Sequence, residues 1–196
     1  MDDASCAARA YRVRHEAIIR TERRELREAM NVNELLTEAY GRLPDLVRSA
    51  VEGLSADQLR WAPSEGANSI GWLVWHLTRV QDSHVAELLD AEQLYVTGNW
   101  AGRFGLKPDP SDTGYSHTAT QVAGVRPESD RALIEYYEAV HARTVAYLES
   151  VSPADLDRVV DERWDPPVTL AVRLVSVLDD DTEHVGQAAY VRGLLP

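Results

Sequence analysis

Cysteine is nearly absent from the sequence, and long apolar runs are absent altogether. Cys6 is the one cysteine among 196 residues, which excludes an internal disulfide framework and a zinc cluster built from thiolates. This scarcity favours a reducing, cytoplasmic location. No apolar stretch is long enough to span a bilayer, and residues 1–10 carry acids where a secretory signal needs an apolar segment. We therefore expect a protein that does not associate with membranes.

Lysine is also scarce, since Lys107 is the only lysine among 20 basic residues. Arginine, alanine and valine are frequent instead, which is typical of a GC-rich bacterial genome. The net charge of −12 argues against binding to nucleic-acid phosphates, so we expect no nucleic-acid partner. The length of 196 residues suffices for one domain with a well-buried core.

Residues 1–29 differ in composition from the rest of the chain. They contain seven arginines, six acids and few large apolar residues. A helix start follows Met30, in the stretch NVNELL. We expect residues 1–29 to be an N-terminal extension outside the core and residues 30–196 to form the folded domain. The alternative is an additional amphipathic helix that docks on this domain.

The domain shows four segments of helical periodicity, each with recognisable ends. Apolar residues recur every three or four positions, Asn33 and Thr169 are candidate N-caps, and the second helix is expected to begin near Asn68 and Ser69. Pro44 interrupts the first segment, so we expect that helix to kink or split. Gly53 and Gly193 are stop signals. The predicted helices cover 33–53, 68–89, 128–150 and 169–192.

The stretch between the second and third helices, 91–127, is rich in glycine and proline and predicts a long crossover. The fold class is therefore all-α, a four-helix bundle made of two helix pairs joined by this crossover. Trp100, Phe104 and Tyr115 lie in the crossover. We expect them to form a small core beneath it, although the same aromatic residues can also serve as a lid.

In the last predicted helix, a run of three aspartates interrupts the apolar pattern, and a histidine follows this run. Asp180 and His184 are four residues apart, so both side chains rise from one helix face, where they can bind the same divalent cation. Asp181 is the competing carboxylate. A third ligand must come from another helix. His76 lies in a strongly apolar stretch, unlike His84, and is the favoured candidate.

Two histidines and one carboxylate leave an open coordination position, which is typical of catalytic metal sites. Zinc, nickel, iron and manganese all accept such ligands. Spacing alone leaves two other interpretations open. His76 can be a packed core histidine, and Asp180 with His184 can be a hydrogen-bonded pair on the surface.

Two segments of the sequence resemble the DinB-like superfamily. They are Trp72-Leu73-Val74-Trp75-His76-Leu77 and His184-Val185-Gly186-Gln187-Ala188. The sequence is most similar to the actinobacterial branch of mycothiol transferases, which is related to mycothiol-dependent maleylpyruvate isomerase. The resemblance covers about residues 30–195.

The resemblance implies a four-helix bundle that holds a divalent metal, most often zinc or nickel, at one end. The ligand positions of the family fall on His76, Asp180 and His184. Asp180 departs from the family pattern, because that position usually holds histidine or glutamate and aspartate is one methylene shorter than glutamate.

The resemblance also implies an activity, namely metal-dependent transfer of a low-molecular-weight thiol to an electrophilic small molecule. Mycothiol is the expected thiol, and a homodimer formed through a bundle face is common in such folds. Two alternatives remain. Water can replace the thiol on the same ligands, which gives a hydrolase, or the bundle can be a non-catalytic metal-binding or stress-response protein.

Other polar residues have weaker assignments, and no catalytic acid or base is predicted. Arg79, one turn after His76, can meet an anionic substrate or form a surface ion pair. Gln187 can hydrogen-bond a bound thiol or pack between helices. We expect His117 and His141 to be surface histidines.

Overall fold

Helices make up most of the structure, a computed structural model that describes residues 30–196. The predicted extension, residues 1–29, lies outside the described residues. A 3₁₀ turn over Pro153–Asp155 precedes the two short strands. The elements are α1 (Val32–Gly41), α2 (Leu43–Val51), α3 (Ala56–Arg60), α4 (Ile70–Leu88), α5 (Leu94–Thr97), α6 (Trp100–Arg103), α7 (Ala119–Gly124), α8 (Asp130–Ser150), β1 (Val159–Asp161), β2 (Val168–Thr169) and α9 (Leu170–Gly193).

The predicted four-helix bundle is confirmed. Its first helix is the α1–α2 unit, and the others are α4, α8 and α9. The last helix, α9, packs against α2 and α4, and α8 packs against α1, α2 and α4. The first and second bundle helices therefore lie mainly across the bundle from each other, as do the third and fourth, whereas α4 and α8, which the crossover joins, are neighbours. The most extensive helix contact joins α4 to α9. Within residues 30–196, no helix is both long and apolar enough to cross a membrane.

Local capping explains where these helices begin. Ser69 and Thr169 each accept a hydrogen bond from a backbone N–H in the first turn of the helix, which confirms the predicted cap at Thr169 and the predicted helix start near Ser69. The predicted cap at Asn33 is wrong. Asn31 caps α1 instead and forms a reciprocal pair with Glu34, because an acid three residues after the cap can bond back to the cap backbone.

Pro44 splits the first helix, as expected from its missing N–H. The break falls at Arg42, and Pro44 occupies the first turn of α2, where a missing donor is tolerated. Gly53 follows the end of α2 with a φ of +77°, a left-handed conformation that glycine adopts without strain.

The crossover contains more helix than predicted, because α5, α6 and α7 all lie in it. Each has no more than six residues, too few for an apolar period to show in the sequence. Phe104 is fully buried and Trp100 packs beside it on Tyr136, which confirms a small core beneath the crossover. Tyr115 is 88% exposed, so its predicted place in that core is wrong.

A short antiparallel hairpin, β1–β2, precedes α9 and was not predicted. Val159 pairs with Thr169, and Asp161 pairs with Val168. Strands of three and two residues are too short to show an alternating pattern. The hairpin packs against α9, and its connecting loop lies beside one end of the groove between α4 and α9.

Candidate metal centre

The structure brings the three predicted ligands together at the α4–α9 contact. His76 comes from α4, and Asp180 and His184 come from successive turns of α9. Each offers one ligand atom, and these atoms all lie within 4.8 Å of one another. The two imidazole rings meet edge to face, with 4.7 Å between their centroids. Among residues 30–196, no other group of three or more His, Cys, Asp or Glu side chains has this spacing.

Backbone carbonyls determine which ring nitrogen of each histidine is free. His76 Nδ1 lies 2.5 Å from the carbonyl oxygen of Thr113, and His184 Nδ1 lies 2.8 Å from that of Asp180. A carbonyl can only accept, so both Nδ1 atoms carry the proton and donate it. In the neutral form of each ring, Nε2 is then the nitrogen with the lone pair, and this is the form of imidazole that binds a metal.

The carboxylate of Asp180 completes the set. Its Oδ2 atom is buried and has no hydrogen-bond partner among the described residues, and burial raises the pKa of this carboxyl. Such an oxygen is costly unless a positive group lies near it. Two imidazoles and this carboxylate, with possible ligand atoms within 4.8 Å of one another, suit a divalent cation.

Asp181, the rival carboxylate, faces a different direction. Consecutive residues on a helix differ by about 100° in direction, so only one of the two aspartates can face α4. Asp181 is fully buried near the hydroxyls of Tyr40 and Tyr137, where burial raises the pKa of its carboxyl well above the ordinary value. It does not belong to the cluster that contains Asp180.

Aromatic packing shields the His76 ligand position from water. The indole of Trp72 stacks on the His76 ring, with 4.6 Å between centroids and 12° between planes. His76 is 6% exposed, and burial lowers its pKa to about 4. The imidazole is therefore neutral near pH 7, so a cation does not have to displace a proton from it.

Comparison with known proteins identifies the family. The sequence-family model of the DinB superfamily matches residues 39–188, which is more than half of the chain. The chain belongs to the DinB superfamily. Among solved structures, it is similar to a conserved protein from Enterococcus faecalis, with 32% sequence identity and a TM-score of 0.77 over 84% of this chain and 96% of that chain. No curated protein matches it.

His117 of this DinB-superfamily protein supports the centre, and its prediction as a surface histidine is wrong. Its side chain is only 7% exposed. Nδ1 accepts a hydrogen bond from the indole N–H of Trp72, so Nε2 carries the proton that is donated to Asp112 at 2.8 Å. His117 therefore fixes the indole that covers His76. Neither periodicity nor spacing signals this role, because His117 lies in the irregular crossover.

Gly114 lets the crossover approach the candidate metal centre closely. Its φ of +93° is accessible to glycine, and a Cβ atom there would lie 2.7 Å from His76 Nδ1 and 2.9 Å from Trp75. The adjacent carbonyl, that of Thr113, is the one that accepts from His76. The glycine thus allows the crossover backbone to orient a ligand of the centre.

Arg79 anchors the crossover of the DinB bundle from inside the core. It is fully buried, so it is not the surface residue that its alternative assignment requires. Its guanidinium donates to the carbonyl oxygens of Asp109, Pro110 and Asp112 and to the side chain of Gln93. These bonds occupy the donors that an anionic substrate would need.

Gln187, His141 and His84 remain to be placed, and their predictions have different outcomes. Gln187 is exposed on α9, three residues after His184, and its contact with a thiol stays a prediction. His141 is half-buried, and its Nδ1 atom is buried without a partner among residues 30–196, so it is not the surface histidine that was expected. His84 lies two turns from His76 along α4 and contacts Arg173 instead of the metal cluster.

Proposed function

We propose that this protein is a metal-dependent thiol S-transferase, with zinc or nickel as the metal and mycothiol as the thiol. One observation carries the proposal: two histidines, each with its Nδ1 bonded to a backbone carbonyl, lie with Asp180, whose Oδ2 has no hydrogen-bond partner, in one cluster of possible ligand atoms that are all within 4.8 Å of one another. Three protein ligands leave room for an exogenous one, as in catalytic metal sites. The likeness of the Trp72–Leu77 and His184–Ala188 segments to mycothiol transferases supports the choice of thiol.

His76, Asp180 and His184 are the residues that would hold the cation. A divalent cation bound there supplies positive charge that favours the thiolate form of a thiol near neutral pH. The protein contributes orientation and shielding. Trp72 covers the His76 ring, and the carbonyl of Thr113 keeps its Nδ1 protonated.

In the proposed transfer, the thiol loses its proton to solvent and its sulfur forms a bond with an electrophilic carbon of the second substrate. The bond to the leaving group breaks, and that group departs with the electron pair. No nucleic-acid or membrane partner is required. We assign the reaction to the cytoplasm of an actinobacterium, since such thiols are kept reduced there, and we propose a homodimer formed through a bundle face.

Metal binding is the first test. Protein purified without a tag is analysed for metal content, and its Tm is measured with EDTA and with added Zn²⁺ or Ni²⁺. A cation at 100 times its Kd adds about 2.7 kcal/mol of stability, which raises the Tm by several degrees. We expect this rise to vanish in His76→Ala and His184→Ala. If the wild type contains no metal and shows no rise, the metal site itself is refuted.

Thiol dependence is the second test and separates the proposal from its alternatives. The metal-loaded protein is assayed against a panel of alkyl and aryl halides and epoxides, with and without mycothiol. We expect turnover only with the thiol. Turnover without it would identify a hydrolase. Metal binding with no turnover on any substrate would favour a non-catalytic metal-binding protein.

The short Asp180 side chain is the feature that favours the non-catalytic alternative. Asp180→Glu restores the chain length common at this position in the family. If the wild type is active, we expect this change to lower turnover, because the longer side chain moves the carboxylate out of its position relative to His76 and His184. Tighter metal binding together with new activity in the variant would indicate a site that has lost its function.

A further inference from the structure

A cavity of about 590 Å³ opens between α4, α9 and the hairpin, next to the metal centre. Its wall on the α9 side ends at Asp180, the carboxylate of the metal cluster. Four valines from three elements form apolar surface inside it, and Trp164, which is 66% exposed, stands at its edge. The valines are Val80, Val168, Val172 and Val177.

The polar end of this cavity lies at a defined distance from the metal centre. Arg173 precedes Asp180 by seven residues on α9, which is about 10 Å along the helix axis. On the opposite wall, His84 follows His76 by eight residues and contacts Arg173. A molecule of this length can therefore place one end at the metal ligands and the other end at the hairpin.

Hydrogen-bond donors are the unused groups at the polar end. Two carboxylates lie at this end. Asp161 accepts from the guanidinium groups of both Arg163 and Arg173. Glu87 accepts from Arg173 and lies 3.7 Å from Arg163 Nη2 and from His84 Nδ1, so both carboxylates already face donors of the protein. Arg173 also donates to His84 Nδ1, which leaves the proton of that ring on Nε2. Among residues 30–196, neither His84 Nε2 nor Arg163 Nη1 has a hydrogen-bond partner.

Hydrogen-bond donors without protein partners, next to a wall of valines, indicate the chemistry of a ligand that would fill the cavity. We propose that this cavity binds the second substrate of the transfer, an organic acid with an apolar or aromatic body about 10 Å long and a carboxylate that meets Arg163 and His84. The apolar body packs on the valines and Trp164. The opposite, electrophilic end lies at Asp180. This inference rests on the proposed function for the reaction but not for binding.

Binding is tested by calorimetry on the full chain with 4-phenylbutyrate and 4-phenyl-1-butanol, which differ only in the end group. We expect the acid to bind about tenfold more tightly than the alcohol, since one charge-assisted bond has about that effect. Arg163→Met should abolish this preference, and Arg163→Lys should keep most of it. Arg131→Met is the control, because Arg131 is also exposed and pairs with Glu135 elsewhere on the surface.

Trp164→Ala provides a second, independent readout. It should weaken the acid and the alcohol by the same factor, because it removes apolar contact and leaves the donors in place. Arg163 and Trp164 are both mainly exposed, so the variants are expected to fold, and their circular dichroism spectra verify this. Equal affinity of acid and alcohol for the wild type, or an undiminished preference in Arg163→Met, would overturn the inference.

A titration with thiol acids of increasing chain length separates failure of this inference from failure of the proposed function. Protein loaded with Co²⁺ is titrated with 2-mercaptoethanol and with mercaptoalkanoic acids from 3-mercaptopropionate to 11-mercaptoundecanoate, and the visible spectrum reports thiol binding. An affinity maximum at intermediate length that disappears in Arg163→Met supports the cavity assignment. If no thiol changes the spectrum but 4-phenylbutyrate binds with the expected preference, the transferase proposal fails and the acid-binding cavity stands. Equal affinity along the whole series would contradict the proposed length.

Discussion

At the scale of single residues, the candidate centre depends on two backbone carbonyl oxygens, because these two atoms orient the two imidazoles. The carbonyl of Thr113 and that of Asp180 each hold one Nδ1 proton. Without these bonds, either nitrogen of each ring could carry the proton, and neither ring would offer a fixed metal-binding atom. The positions of the carbonyls therefore matter as much as the histidines themselves.

Gly114→Ala tests this orientation directly. The added Cβ would lie 2.7 Å from His76 Nδ1, so the crossover or the ring must move. We expect Zn²⁺ affinity to fall by about 10- to 100-fold, the usual effect of disturbing a group that orients a metal ligand. Competition with a fluorescent zinc chelator measures it. Gly102→Ala is the control, since nothing lies within 4 Å of a Cβ there, and unchanged affinity in both variants would contradict the role of the crossover.

At the scale of elements, two segments outside the four long helices complete the site. The crossover supplies Thr113 and His117, and the hairpin supplies Arg163 and Trp164. Each is attached to the bundle by a buried arginine. Arg79 of α4 binds crossover carbonyls, and Arg173 of α9 binds the hairpin carboxylate.

Arg79→Met should detach the crossover. The change removes the guanidinium that donates to the crossover carbonyl oxygens, and it leaves the fully buried Asp82 carboxylate with Arg143, at 3.9 Å, as its remaining cationic neighbour. Removing one member of a buried ion pair costs about 3–5 kcal/mol, so we expect a loss of that size in the free energy of unfolding measured with urea. Hydrogen exchange should also accelerate over residues 109–117. Arg131→Met, at an exposed ion pair, should change little, and equal stability of the two variants would refute the anchoring role.

Asp161→Asn should loosen the hairpin in a pH-dependent way. Hydrogen bonds from Arg163, together with the charge of Arg173, hold the pKa of Asp161 well below its ordinary value of 3.8. A lowered pKa in the folded state contributes stability above pH 3.8, and this stability is lost as the pH falls. We expect the variant to have a Tm several degrees below wild type at pH 7.

The Tm difference between wild type and Asp161→Asn should shrink as the pH falls below that ordinary value. Scanning calorimetry at pH 7, 5 and 3 measures both proteins. Asp157→Asn is the matched control, because Asp157 is exposed and forms no ion pair among the described residues. A Tm difference that stays constant with pH would contradict the pairing.

At the scale of the whole molecule, the extent of the folded domain is the open prediction. The family match begins at residue 39 and ends at 188, and the first described helix begins at Val32. Residues 1–29 lie outside the family match and outside the described residues. Composition predicts that they lie outside the core.

Deleting residues 1–29 tests this domain boundary. We expect the Tm of the 30–196 fragment to stay within about 2 °C of the full chain, because less than 1 kcal/mol of stability should be lost. The matched measurement compares both proteins with and without Zn²⁺, so that the metal-dependent rise is checked at the same time. A loss of many degrees would mean that residues 1–29 form a helix docked on the bundle.

Much of the fold was predictable because it is encoded locally. The apolar period of the four long helices, the helix start near Ser69, the cap at Thr169 and the break at Pro44 all depend on residues within a few positions of one another. The spacing of Asp180 and His184 on one helix face is local in the same sense. Spacing together with family resemblance therefore sufficed to nominate them with His76.

The tertiary structure decided what depends on distant contacts. The Thr113 carbonyl lies 37 residues from His76, and the side chains of His84 and Arg173 are 89 residues apart. The choice between Asp180 and Asp181 depends on how α9 is rotated against α4, which the packing of all four helices sets. Sequence alone determined the bundle and the three candidate ligands. Only the folded chain could determine their orientation, the role of His117 and the cavity beside them, because these arise where irregular segments pack on regular ones.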